Sequence, residues 1–108
     1  MSDRFAKGLE VRRAVLGADY VDRSLADADA FTMPFQELVT EYCWGTIWTR
    51  PGLDRKTRSL LNLAMLTAFN RPPELRLHAK APRTNGVTPD EIQEVLLHAA
   101  DSSAVPAA

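Results

Sequence analysis

Few side chains in this sequence can move a proton near neutral pH. His78 and His98 are its only histidines, and imidazole is the group whose ordinary pKa lies closest to physiological pH. His78 is the candidate acid or base, set against the plainer role of a helix histidine satisfied by a backbone carbonyl. His98 is read as structural. Ten arginines stand against three lysines, and a guanidinium fork suits the two oxygens of a carboxylate. Arg50, Arg55 and Arg58 are the candidate anchors. Arg58 is expected on an apolar helix, where a charge is harder to solvate. Arg55, at a helix start, is the least favoured electrostatically. Trp44 and Trp48 are four residues apart, which stacks them on one helix face. They could pack in a core or an interface, or else wall a pocket or donate an indole N–H. Glu41 lies about one turn before Trp44. Cys43 is the one cysteine, so it has no internal disulfide partner. It is read as a small buried residue.

The elements that must hold these groups are all helical, because no alternating strand pattern competes with the 3.6-residue period. A first helix is expected over Phe5–Leu16, with Phe5, Leu9, Val15 and Leu16 near one face, Arg12 and Arg13 near another, and Gly17 as its stop. A short piece follows over Tyr20–Ala28. The next helix starts with Thr32 as N-cap and Pro34 in its first turn. It carries an apolar stripe of Phe35, Leu38, Val39, Tyr42 and Cys43, and Arg50-Pro51-Gly52 stops it. A third long helix is capped by Asp54 and runs to Phe69. It is apolar nearly all round, so a central, buried place is expected, as the core of the domain or of a subunit interface. A shorter helix from Pro73 carries His78, and Pro82 should kink or end it. Asn85-Gly86 makes a turn. Thr88-Pro89-Asp90-Glu91 is a capping box that opens a last helix with Ile92, Val95, Leu96 and Ala99 on one face. The tail from Asp101 to Ala108 is expected to fray.

Composition narrows the function classes. The chain of 108 residues has 45% hydrophobic and 25% charged residues, with a formal net charge of −1. That is ordinary for a globular domain. It offers no basic excess for a nucleic-acid partner and no apolar run long enough for a membrane. The N-terminal ten residues lack a signal-peptide core, so a cytoplasmic location is expected. A small domain with this much apolar surface is also expected to self-associate.

Four stretches resemble one family. They are KGLEVRRAVLG (Lys7–Gly17), WTRPGLDRKTRSLLNLAML (Trp48–Leu66), ELRLHAKA (Glu74–Ala81) and NGVTPDEIQEVLLHAA (Asn85–Ala100). Their order and spacing are similar to the γ-carboxymuconolactone decarboxylases of protocatechuate breakdown, over about residues 5 to 100. The wider superfamily contains alkylhydroperoxidase-type proteins with a glutamate, a CxxC pair and a histidine. Aligning that histidine with His78 puts Ser59, Arg71 and Glu74 where the glutamate and the two cysteines would stand. Thiol chemistry needs the thiolate pair, so the peroxidase branch is set aside.

The resemblance implies an all-α helical bundle of five to six helices. It implies one domain over residues 1–108, with the C-terminal end shortened against the family pattern. It further implies decarboxylation of 4-carboxymuconolactone to the 3-oxoadipate enol-lactone in aromatic catabolism, with no metal and no organic cofactor. The electrons left by CO₂ pass through the ring double bond to the lactone carbonyl, so the substrate carries its own sink. Three protein groups are then wanted: a cationic anchor, a donor at the lactone oxygen and an acid that returns a proton. On this reading His78 is the acid, and Glu41 orients it or shuttles its proton. Arg50 and Arg58 anchor the substrate, and Trp44 and Trp48 wall the pocket. Trimers, or hexamers built from three dimers, are implied as the assembly. The alternative is a helical oligomerisation or ligand-binding module of the same fold without the chemistry.

Overall fold

The computed structural model describes residues 2–80 and 85–104. Among the described residues there are six α-helices, two π-helical stretches and no strand, in keeping with the expected all-α bundle. Pro82 and residues 105–108 lie outside the described residues, and with them the expected kink and the end of the tail. None of the described helices is long and apolar enough to cross a membrane. The chain divides into two units, Met1–Leu53 and Asp54–Ala108.

In the first unit, α1 spans Asp3–Leu16 and begins earlier than its apolar pattern suggests. Ser2 accepts a hydrogen bond from the Phe5 amide at 3.1 Å, which satisfies one of the unpaired first-turn donors. Gly17 ends it with φ +96, a left-handed value that glycine tolerates. The buried face is Phe5, Gly8, Val11, Arg12 and Val15. Leu9 and Leu16 are only half-buried. Arg12, expected on an outer face with Arg13, is therefore inside, while Arg13 stays exposed and pairs with Asp22 at 2.9 Å. Helix α2 covers Ala18–Asp27.

The expected N-cap at Thr32 is not made by its side chain. Asp29 takes that part instead: its Oδ1 accepts from the amides of Phe31 and Thr32 at 3.0 and 2.8 Å. The Thr32 hydroxyl is drawn back to the Asp29 amide at 3.0 Å. Helix α3, Met33–Val39, then runs without a break into a π-helical stretch, Thr40–Ile47. The wider turn shows in the bond from the Trp48 amide to the Cys43 carbonyl, five residues back, at 3.0 Å. The Thr46 hydroxyl likewise reaches the Glu41 carbonyl at 3.0 Å.

Helix α1 packs on this π-stretch through two glycines. A Cβ at Gly8 would overlap the Thr40 carbonyl and stand 2.8 Å from the Gly45 nitrogen. One at Gly45 would overlap the Arg4 carbonyl. Beside this close approach sits the apolar centre of the unit, Val11, Val15 and Trp44, flanked by Leu16, Val39, Cys43 and Trp48. Phe35, Leu38 and Tyr42, expected as part of a buried stripe, are 64%, 62% and 58% exposed in the single chain.

In the second unit, α4 spans Arg55–Ala68, capped as expected by Asp54, which accepts from the Thr57 amide at 2.8 Å. Within the single chain only its Ser59 and Leu63 are buried, and Leu61 and Met65 stand well out, so of the two expected places the core of the domain is not the one seen. Asn70 turns the chain with φ 56. Helix α5 covers Pro72–Lys80. Asn85 ties the next turn to α4 by donating to the Ser59 hydroxyl at 2.7 Å. The capping box is complete: the Glu91 amide donates to Thr88 Oγ1 at 3.1 Å, and the Thr88 amide donates to Glu91 Oε1 at 2.9 Å. It opens α6, Pro89–Ala99, which faces α4 with Ala99 buried and Ile92 and Val95 half-buried. Leu96, expected on that face, is exposed. The chain continues helically as a π-turn over Ala100–Ala104, so the first part of the expected frayed tail is ordered.

Candidate active site

The first unit holds Glu41, Trp44, Trp48 and Arg50. The first three follow one another along the π-stretch and its end. The indole rings of Trp44 and Trp48 lie 4.7 Å apart between centroids, tilted by 31°. That is a favourable offset aromatic pair. Trp44 is buried, Glu41 and Trp48 are half-buried and Arg50 is exposed. Cys43 is half-buried and packs against the apolar centre.

Arg12 is the unexpected cation of this unit. It is 6% exposed. Its Nη1 donates to Gln36 Oε1 at 3.0 Å and to Thr40 Oγ1 at 3.2 Å, and its Nε is sealed from solvent without a partner. Burial pushes its pKa below the ordinary value, opposed by Tyr20 and Cys43.

The second unit holds Arg58 and His78. Arg58 is half-buried on α4, whereas Arg55 is exposed. His78 is half-buried on α5. Burial pushes its pKa below 6.5, and the charge of Glu74 opposes the shift. Glu74, one turn earlier on the same helix, gives Oε1 to Arg71 Nη2 at 2.6 Å. Its Oε2 is shut off from solvent and has no partner. That pairing holds the Glu74 carboxyl below the usual range. Glu74 is a functional candidate that residue-by-residue reading missed. The signal was present as a carboxylate four residues before the histidine, a spacing that brings side chains together on a helix.

His98, expected to be structural, is exposed and has its Nε2 3.4 Å from the Ser102 hydroxyl. It lines an apolar cavity of about 550 Å³ with Leu60, Ala64, Met65 and Val95. Among the described residues no three His, Cys, Asp or Glu side chains gather as metal ligands would.

Residues 34–108 match the carboxymuconolactone decarboxylase family. The chain belongs to that family. The match takes in α3 and everything after it, and so includes Glu41, both tryptophans, Arg58 and His78. Similarity to individual members reaches further. The chain is 46% identical over 104 residues to a 4-carboxymuconolactone decarboxylase of Acinetobacter baylyi, covering 96% of this chain and 78% of that protein. It is 52% identical over 96 residues to nitrosuccinic acid decarboxylase npaB of Metarhizium robertsii, covering 89% of this chain and 67% of that one. A shorter match, 45% over 42 residues, is to a 4-carboxymuconolactone decarboxylase of Pseudomonas putida, covering 39% of this chain and 88% of the relative. Decarboxylation is common to all three names, and this family member is a carboxy-lyase.

Proposed function

We propose that this chain removes CO₂ from 4-carboxymuconolactone and yields the enol-lactone, without a cofactor acting as electron sink. The observation that carries the reading is 46% identity across 96% of the chain with a relative named for that reaction. The second relative, named for nitrosuccinic acid, sharpens the chemistry. In both acids the departing carboxylate sits on a carbon whose electrons pass into an acceptor of the substrate itself, a lactone carbonyl or a nitro group. In both, a second carboxylate stays behind. The substrate class is therefore a compact dicarboxylate with a built-in electron sink.

The protein is left with holding the retained carboxylate, stabilising the anion that forms, and returning a proton. His78 is the acid. Its burial favours the neutral imidazole in the empty protein, and an anionic substrate would raise its proton affinity so that an imidazolium can protonate the delocalised anion. Arg50 and Arg58 are the anchors. Trp44 and Trp48 supply an apolar wall that favours neutral CO₂ over carboxylate, with an indole N–H as donor to the lactone oxygen. Glu41 carries or orients the proton. The enzyme works in the cytoplasm as a trimer or hexamer. The exposure of Phe31 (90%) and Phe69 (72%), together with Phe35, Leu38 and Tyr42, supports self-association.

Steady-state turnover of the carboxylated lactone and of nitrosuccinate tests the reading. Turnover of the lactone, with His78→Gln roughly 10²-fold slower or worse, supports it. Turnover of nitrosuccinate alone would reassign the substrate.

A further inference from the structure

Helix α4 has two apolar faces and fills only one of them within the chain. Leu63 is buried beside Ser59, while Leu61, Met65 and Phe69 follow one another at four-residue steps on the opposite face and are 42%, 50% and 72% exposed. Helix α6 lies alongside in the same sense. Lys56, near the start of α4, pairs with Glu91, near the start of α6, and the π-turn that follows α6 still touches α4. Between them opens the groove of about 550 Å³, walled by Leu61, Met65 and Phe69 of α4 and by Val95 of α6. A helix pair with one apolar face left open needs a further layer over it. The α6 edge of the groove is a row at four-residue steps, Glu94, His98 and Ser102. Glu94 has no ion pair or hydrogen bond among the described residues. His98 meets Ser102 through Nε2, at 3.4 Å, which leaves Nδ1 for another partner. A carboxylate accepts and an imidazole N–H donates, so an edge that carries one of each a single turn apart is complementary to itself when turned end for end. The one carboxylate lining the groove is that of Glu94, and it disfavours the dicarboxylic acids of the proposed reaction as occupants.

We propose that the groove between α4 and α6 receives the same groove of a second copy of this chain, about a two-fold axis that crosses α6 midway between Glu94 and His98. Each Glu94 carboxylate then accepts from an imidazole N–H of the partner's His98, and the contact is made twice, as an isologous interface requires. The helices of the two copies run antiparallel, and the four of them enclose one apolar layer. On α4 the axis passes near Met65, so Leu61 lies toward the partner's Phe69. The pairing deepens the self-association that belongs to the proposed function by naming its surface and its symmetry. It does not depend on the reaction.

Charge exchange across the axis is the test. Sedimentation of the full chain over a range of concentrations gives the strength of association for the wild type, Glu94→Lys, His98→Glu and the double variant Glu94→Lys/His98→Glu. Both positions are exposed in the single chain, and circular dichroism shows that each variant is folded. Glu94→Lys sets a cation against the imidazole, and His98→Glu sets two carboxylates against each other. Each should weaken association about tenfold or more, because symmetry removes the contact twice. The double variant restores opposite charges across the axis and should return association to within a few fold of the wild type. Met65→Lys brings two cations together near the axis and should weaken association as the single variants do. A wild type that stays a single chain at micromolar concentration would overturn the proposal and leave the groove to some other occupant. Association unchanged in both single variants would overturn it as well, as would a double variant weaker than either single one. The two readings fail separately. Association that follows the charge exchange, without decarboxylation of any acid, leaves this interface and removes the proposed function. Decarboxylation by a wild type whose association ignores Glu94→Lys and His98→Glu does the reverse.

Discussion

Glu74 stands one turn before His78 on α5, and its charge works against the effect of burial on the imidazole. Arg71 holds one oxygen of that carboxylate at 2.6 Å and tempers its charge. Glu74 thus sets how far the proton affinity of His78 falls. If the protonated imidazole is the acid, kcat/KM should decline with rising pH through a midpoint below the ordinary 6.5. Glu74→Gln removes the opposing charge and should move that midpoint further toward acid. Arg71→Ala leaves the carboxylate uncompensated and should move it back toward neutrality. A pH–rate profile that is the same in all three proteins would separate Glu74 from the chemistry.

The same imidazole makes the fold acid-sensitive. Its pKa is lower folded than unfolded, so between the two values the unfolded chain binds more protons and stability rises with pH. The contribution is whole above about pH 6.5 and is lost as the pH falls from there through the folded-state value. Melting temperatures should drop across that window in the wild type and drop less in His78→Gln. Parallel curves for the two proteins would contradict this.

The glycine crossing between α1 and the π-stretch should tolerate no methyl group. Gly45→Ala places a Cβ into the Arg4 carbonyl and 2.9 Å from Arg4 Cγ, and backbone must shift to admit it. A loss of roughly 1–3 kcal/mol is expected, the scale of overpacking. Urea unfolding measures it, and Gly52→Ala, where a Cβ meets nothing within 4 Å, is the control. Equal midpoints for the two variants would show that the crossing is looser than described.

Much of this architecture is legible in the residues. The capping box at Thr88, the Asp54 cap, the stop at Arg50-Pro51-Gly52 and the Trp44–Trp48 pair rest on local chemistry, and local chemistry is what short stretches encode. Arg12 shows where the reading stops. Its spacing from Phe5, Gly8 and Val15 is 7, 4 and 3 residues, which is the buried face of α1, yet its charge argues for the outside. Only the tertiary partners, Gln36 on α3 and Thr40 on the π-stretch, settle which wins. The π-stretch is likewise hidden, because a five-residue hydrogen bond leaves no mark on apolar periodicity. Thr32 lost its cap to Asp29, a competition between two good capping residues three apart. The apolar α4 fits a domain core or a subunit interface equally, because periodicity cannot tell a core face from one left open in a single chain.

That open apolar surface should be covered in solution. Phe35 and Leu38 are 64% and 62% exposed on α3, and self-association would bury such side chains. Light scattering should give a multiple of the 12.0 kDa chain mass, and Leu38→Lys should lower it. A wild-type mass of one chain at full activity would rule the assembly out.

The central claim is that this chain takes CO₂ from a carboxylated lactone whose own carbonyl accepts the electrons. The direct measurement is to mix the purified chain with 4-carboxymuconolactone and follow CO₂ and enol-lactone together. Stoichiometric release of both, with initial rates proportional to enzyme, is the result expected. An unchanged lactone, or enol-lactone formed no faster than without protein, would contradict the account.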